Sequence, residues 1–300
     1  MDRFQEMQVF AAVAQDQGFS AAARRLGLSA ASVTRAVAAL EKRIGTQLLT
    51  RTTRSVYLSE AGQRYLEDCR RILAEVQEAE DSAAGSHIHP RGQLTITAPV
   101  LFGALFVTPL MVSYLTQFPE VCINALLVDR VVSVVEEGVD VAIRIGELPD
   151  SNQHAIRVGE VRRVICASPQ YLASHGRPIH PQELAQAPII ATSAIGQLRS
   201  WPFIEDGETL SVRAEPRLVV TANQAAITAA CLGLGFTRVL SYQVAGKVAA
   251  GELEIVLADF ELPPLPIHVL YQGGRKAPAR VRSFVDFAVK TLREHPALEG

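Results

Sequence analysis

The stretch Phe19 to Arg35, FSAAARRLGLSAASVTR, constrains this chain more than any other. Small residues crowd around Gly27, and hydroxyls and an arginine follow at once. Apolar and small side chains at Phe10, Val13, Ala14, then Ala22, Ala23, Leu26, then Leu28, Val33, Val37 and Leu40 fit three helices at a 3.6-residue period. Gly27 supplies the tight turn between the second and third, where a positive φ is expected. Ser29 follows as an N-cap for the third helix. Ala23 puts only a methyl group where two helices cross at short range, and Val33 fills the wedge between them. The third helix then presents Ser32, Thr34 and Arg35 near its start, on faces that Val33 and Val37 do not use. The N-terminal part of a recognition helix is the part that reaches base edges in DNA.

Charge points the same way. From Ser20 to Arg54 there are seven basic residues and one acid, or +6, whereas the rest of the chain carries 22 basic and 30 acidic residues, or −8. A basic end on an acidic body suits a nucleic-acid reader with a separate domain, although a solvated basic face has the same composition. Downstream, RTTRSVYLSEAG puts Arg51, Thr52, Thr53 and Arg54 in a turn before a short strand, an arrangement like a wing that touches phosphates or a minor groove.

The run from Ala21 to Gly62 resembles the winged helix-turn-helix of LysR-type transcriptional regulators. The matching positions are Ala22, Ala23, Leu26, Ser29, Val33, Thr34, Arg35, Leu40, Glu41, Ile44, Gly45, Leu48, Leu49, Arg51, Ser59, Ala61 and Gly62. This chain has Ala30 and Ala31 where the family often has Gln-Pro, and Ala36 where Gln often follows the arginine. Fewer amides are then available for adenine contacts, so no base preference carries over. The expected DNA-binding residues are Ser29, Ala30, Ala31, Ser32, Thr34 and Arg35 in the helix, with Arg51, Thr52, Thr53 and Arg54 in the wing.

Beyond Ser59 a long helix is expected to about Ala84. Tyr65, Cys69, Ile72, Val76, Ala79 and Ala83 recur at spacings of three and four, as in a coiled-coil seam. The alternative is an amphipathic helix lying on its own domain. The resemblance implies a linker helix that pairs two subunits, and double-stranded DNA with a partly palindromic operator needs such a two-fold axis. It further implies a tetramer of two dimers. GSHIHPRG, residues 85–92, reads as a hinge; His87 and His89 lack a third ligand nearby, so no metal is expected.

After Arg91 strand and helix signals alternate. QLTITAPV, VCINALLV and VDVAIRIG read as strands, with helices at Leu101–Phe118 and Val131–Glu137; this βαβαβ unit predicts a largely parallel sheet. A second unit runs through VRRVICAS, PQELAQAPII, RLVVT, a helix from Asn223 to Leu234, and GFTRVLS. PIHVLY and an apolar helix from Val281 to Leu292 then return to the first. The resemblance implies an α/β effector domain of two subdomains with a periplasmic-binding-protein-like fold. The expected boundaries are 1–58 for the winged domain, 59–90 for the linker helix and hinge, and 91–300 for the effector domain. Within the last, residues 91–161 and 265–300 form one subdomain and 162–264 the other.

Ligands of open α/β sheets bind past the carboxyl ends of strands, at helix N-termini. That rule nominates Thr97, Ala98, Pro99, Val100 and Leu101 after the first strand, Arg144 and Gly146 after the third, and Thr192, Ser193, Thr221 and Asn223 in the second unit. Thr97 and Thr192 would each donate to a carboxylate oxygen. Arg144 and Arg238 are the candidate cations, each with an internal ion pair as the alternative. The expected ligand is a small-molecule effector, an organic anion.

Other classes are disfavoured. GxSxG, HExxH and GxxxxGK[ST] do not occur, so neither an enzyme nor a cofactor is expected. The longest nearly apolar run, Pro99 to Val112, contains Pro109 and falls short of the ~20 residues of a membrane span. The N-terminus lacks the plan of a signal peptide, which argues against an exported solute-binding protein and for a cytoplasmic one. Four scattered cysteines suit core packing better than a disulfide or redox pair. A ligand-independent repressor or an architectural DNA binder is the remaining alternative.

Overall fold

The computed structural model describes residues 2–51, 56–83, 90–130, 137–148, 154–193, 199–274 and 277–298. The chain divides into two compact units, Met1–Ile88 and His89–Gly300.

The first unit begins with α1 (Arg3–Asp16), α2 (Phe19–Leu26) and α3 (Ala30–Ile44). Asp2 starts α1 as one half of a capping box with Gln5, accepting the Gln5 N–H at 2.8 Å. Gly27 takes φ +64° and closes α2 with its N–H on the carbonyls of Ala23 and Arg24, while the Ser29 hydroxyl accepts the Ser32 N–H at 3.1 Å to open α3. Phe10, Val13, Ala22, Val33, Val37 and Leu40 are all fully buried where the helices cross. Leu26 and Leu28 are exposed instead, because the turn at Gly27 carries its flanking side chains outward. Strands β1 (Leu49–Arg51) and β2 (Val56–Leu58) pair antiparallel; residues 52–55 between them lie outside the described residues.

Helix α4 (Glu60–Ala83) follows. Its first half lies on its own domain: Cys69 is fully buried in the same core, and the Tyr65 ring packs tilted against Phe10 with ring centroids 5.6 Å apart. Tyr65, Cys69 and Ile72 therefore pack on the core of this unit, as the alternative reading of the helix has it. Val76 is half-buried; the side chains of Ala79 and Ala83 lie outside the described residues. At the junction, a Cβ on Gly62 would sit 1.9 Å from the Leu48 carbonyl oxygen, so only glycine lets α4 pass that close. The Glu41 carboxylate accepts the N–H groups of Leu48 at 2.8 Å and Leu49 at 3.0 Å, tying α3 to β1.

The second unit contains two five-stranded sheets. The first comprises β3 (Gly92–Ala98), β4 (Val121–Leu127), β5 (Val141–Ile145), β6 (His154–Val161) and a late strand, β14 (Leu265–Tyr271), in the order β4-β3-β5-β14-β6. The second comprises β7 (Arg163–Ala167), β8 (Ile189–Thr192), β11 (Pro216–Val220), β12 (Phe236–Leu240) and β13 (Glu254–Val256), in the order β11-β8-β12-β7-β13. Each sheet is mixed: β3 runs parallel to β4 and β5, and β8 parallel to β11 and β12, while the remaining pairings are antiparallel. The largely parallel sheets expected from the sequence are thus half right. β6 and β14 are antiparallel strands that leave and re-enter the first sheet, carrying the chain between the two.

Helix α5 (Val100–Phe102), a π turn (Gly103–Val107) and α6 (Thr108–Gln117) form one helical run against the first sheet. Pro109 cannot donate to the carbonyl four residues back, and the π turn ends two residues before it. The Thr108 hydroxyl donates to the Gly103 carbonyl at 2.9 Å. The run is 18 residues with mean hydropathy 1.6, long and apolar enough to cross a membrane, contrary to the expectation from its proline. Its residues Phe102, Val107, Leu110 and Tyr114 are nonetheless packed in the core of the first sheet. α10 (Ala279–Arg293) returns to this core through Val281, Phe284, Val285 and Ala288.

On the second sheet, α7 (Pro169–His175) lies with the hairpin β9 (Ser200–Glu205) and β10 (Glu208–Arg213) on one face, and α8 (Asn223–Cys231) with α9 (Ser241–Ala249) on the other. The hairpin turns at Asp206 (φ 49°) and Gly207 (φ 86°), the positive φ pair of a two-residue loop that matches strand twist.

Candidate functional site

The exposed face of α3 is built by what its other face must bury. Val33, Ala36, Val37 and Leu40 point into the core, which leaves Ala30, Ala31 and Arg35 exposed and Ser32 and Thr34 half-buried at the rim. The Ser29 and Ser32 hydroxyls lie 2.8 Å apart, and Arg35 Nη2 reaches the Ser32 hydroxyl at 3.5 Å. These residues form one polar surface at the helix N-terminus. Not all the charge counted in the sequence is available there: Arg25 pairs with Asp16 at 2.9 Å and Arg43 with Glu6 at 2.8 Å. Arg24, Arg35 and Lys42 have no carboxylate within salt-bridge distance among the described residues. The wing residues Thr52, Thr53 and Arg54 lie outside the described residues, as does the side chain of Arg51.

In the second unit a cavity of about 230 Å³ opens between the two sheets. Pro99 and Asp129 line it from the first sheet's side; Arg163, Asn223 and Arg238 line it from the second, and Tyr242 also lines it. Burial raises the Tyr242 phenol well above its ordinary value, so it stays protonated.

The residues nominated from the sequence divide. Pro99, Asn223 and Arg238 reach the cavity. Thr97 is fully buried and donates its hydroxyl to the Leu126 carbonyl at 2.8 Å, and Ala98 is buried beside it. Leu101 packs against the hydrophobic cores. The Val100 N–H is taken by Asp129 Oδ1 at 3.0 Å. Thr192 donates to Asn223 Oδ1 at 3.0 Å; Ser193 and Thr221 are exposed and do not line the cavity. Gly146 turns with φ +120° and donates its N–H to Pro266. Arg144 does not line the cavity, because strand alternation gives that face to its neighbour Ile145. Burial lowers the Arg144 guanidinium, and Glu137 supplies the opposing charge.

Sequence reasoning missed Arg163, Trp201, Tyr242 and Asp129. Arg163 and Arg238 stand on adjacent antiparallel strands, with Arg238 opposite Ile165 and Arg163 opposite Leu240, so both project from one face of the sheet. Alternation within RVICA and FTRVL carries that signal only once β7 and β12 are known to pair. The Arg238 guanidinium lies 5.4 Å from the Trp201 ring centroid, a cation–π contact supplied by the unexpected hairpin. Burial, and then the charge of Arg163, push Arg238 down to about 10, still far enough above neutrality to keep its charge.

Residues 4–63 match the family model for the bacterial regulatory helix-turn-helix protein of the lysR family, and residues 87–293 match the LysR substrate binding domain. A transcriptional regulator from Xanthomonas campestris is 35% identical over 95% of this chain and 84% of its own length. A transcriptional repressor from Pseudomonas aeruginosa is 30% identical over 100% and 95%. The full-length structure of AphB, the virulence activator of Vibrio cholerae, superimposes with TM-score 0.62 at 26% identity, covering 96% of this chain and 99% of that one. The two matched domains span nearly the whole chain, and it belongs to the LysR family of transcriptional regulators.

Proposed function

We propose that this DNA-binding regulator reads base edges with Ser29, Ala30, Ala31, Ser32, Thr34 and Arg35, and grips phosphates with Arg51, Thr52, Thr53 and Arg54. The observation that carries this reading is the exposed N-terminal face of α3, where Arg35 meets no carboxylate while the opposite face is wholly buried. Two such helices need a two-fold axis to read a partly palindromic operator. The distal part of α4, from Val76 onward, is the segment left to pair subunits, since Tyr65, Cys69 and Ile72 are spent on the core. Two dimers then associate as a tetramer, in the cytoplasm.

The effector is a small organic anion held in the cavity between the two sheets. Its binding favours one relative position of the subdomains and so changes operator affinity, a linkage typically worth ~1–3 kcal/mol. The sign of regulation does not carry over, since relatives of similar identity and fold include a repressor and an activator.

Substitution at Arg35 and Arg54 tests the DNA-binding half. Arg35→Ala is expected to cost ~1–3 kcal/mol on the operator and to relax discrimination at one base pair. Arg54→Ala is expected to weaken all duplexes alike and to reduce the salt slope by about one. Fluorescence anisotropy against operator and scrambled duplexes separates the two; unchanged operator binding in both variants contradicts the reading.

A further inference from the structure

Resting on the reading that this cavity holds the effector, we propose that the effector's carboxylate docks on the second sheet's arginine pair, Arg163 and Arg238, while Asp129 receives a hydrogen-bond donor at the ligand's other end. The ligand class is a short carboxylate carrying an ammonium or hydroxyl group at its far end.

The usual anion position of an open α/β sheet is already filled by the protein. Asp129 Oδ1 accepts the Val100 N–H at 3.0 Å, so a carboxylate of the chain itself sits at the first free N–H of the helical run. Thr97, the hydroxyl nearest that position by sequence, donates internally to the Leu126 carbonyl, and Thr192 at the corresponding strand end of the second sheet donates to Asn223. A second anion there would meet the charge of Asp129 at close range.

The facing wall has the opposite character. Arg238 is 7% exposed, and its Nη1 is buried without a hydrogen-bond partner. Neither Arg163 nor Arg238 has a carboxylate within salt-bridge distance among the described residues. The nearby acid, Glu261, lines a small chamber with both arginines but is matched by Arg162 at 3.1 Å. Three guanidiniums against one carboxylate leave two positive charges at the cavity wall. Buried charges are ordinarily paired, and the Trp201 ring offsets only part of the cost for one of these. A carboxylate has two oxygens to share between two guanidiniums, and charge-assisted bonds of that kind are the strong ones.

The second chamber, about 10 Å³, has room for about one water. Both Arg238 Nη1 and the unpartnered Glu261 Oε1 belong to residues that line it. The main cavity, about 230 Å³, is far larger than that chamber. That suits a short aliphatic chain between its two polar ends.

Isothermal titration of the full chain with γ-aminobutyrate, butyrate and succinate tests the charge pattern. The expected order is γ-aminobutyrate above butyrate above succinate, because the second carboxylate of succinate faces Asp129. Arg163→Gln is expected to weaken γ-aminobutyrate and butyrate by at least about tenfold, and its ligand-free melting temperature is expected to be unchanged or raised, since one of two like charges is gone. Asp129→Asn, which keeps an acceptor for Val100, is expected to bring γ-aminobutyrate down to the affinity of butyrate and to improve succinate. Binding of none of the three probes, equal binding by wild type and Arg163→Gln, or succinate as the tightest ligand of the wild type overturns the proposal. Duplex affinity measured on the same samples keeps the two readings apart: a probe that binds at the arginine pair yet leaves operator affinity unchanged contradicts the regulatory role of the cavity and not the docking site.

Discussion

At the scale of single residues, partners decide what a side chain is free to do. Seven basic residues crowd the segment from Ser20 to Arg54, yet Arg25 and Arg43 are bound to Asp16 and Glu6. A charge count therefore overstates the surface offered to DNA. Thr97 shows the same in reverse: a hydroxyl nominated for a ligand serves the Leu126 carbonyl instead. Thr97→Val is expected to cost about 1 kcal/mol of stability, the price of a buried hydrogen bond, in a denaturant melt. Anion binding measured by calorimetry is expected to be unchanged. The cysteines follow burial too. Cys69 is pushed up to about 11 and Cys166 to about 12 by desolvation, and Cys122 is exposed. Iodoacetamide near neutral pH is expected to label Cys122 first and to leave Cys69 and Cys166 untouched until the protein unfolds, as read by peptide mass mapping.

At the scale of elements, local chemistry was legible wherever the partner of a residue lay close in sequence. Gly27 with φ +64° and the Ser29 cap are found as expected, because a turn and a cap are settled within four residues. The long helix was legible, but not what covers it: a three-four repeat serves a seam or a domain core equally well, and Phe10 on α1 claims Tyr65. The strands of the effector domain were legible as strands and not as neighbours. Parallel and antiparallel pairings leave the same alternation, so β6 and the hairpin of β9 and β10 were missed, although Asp206-Gly207 was the turn signal for the latter. With them went Trp201, and with the pairing of β7 and β12 went Arg163. Gly62 gives an element-level test. A methyl there meets the backbone of Leu48, which cannot rotate away, so Gly62→Ala is expected to destabilise the first unit by roughly 1–3 kcal/mol and to weaken DNA binding with it. An unfolding midpoint equal to wild type contradicts that close approach.

At the scale of the whole molecule, the chain is two units with separate cores, each with its own chemistry. The first offers donors on one helix face; the second encloses a cavity with two unmatched positive charges on one wall and a carboxylate on the other. A fragment spanning residues 91–300, with its own hydrophobic cores, is expected to unfold cooperatively in isolation, as followed by calorimetry. Regulation requires that the two units communicate, and DNA reading comes first in that chain of cause. Its most direct test is selection of duplexes from a random pool by the full protein and by Arg35→Ala. The account predicts that the wild type enriches a two-fold symmetric site with half-sites about one helical turn, or a multiple of it, apart, and that Arg35→Ala loses preference at a symmetric pair of positions. Enrichment of the same sequence to the same degree by both proteins would contradict the assignment of base reading to the start of α3.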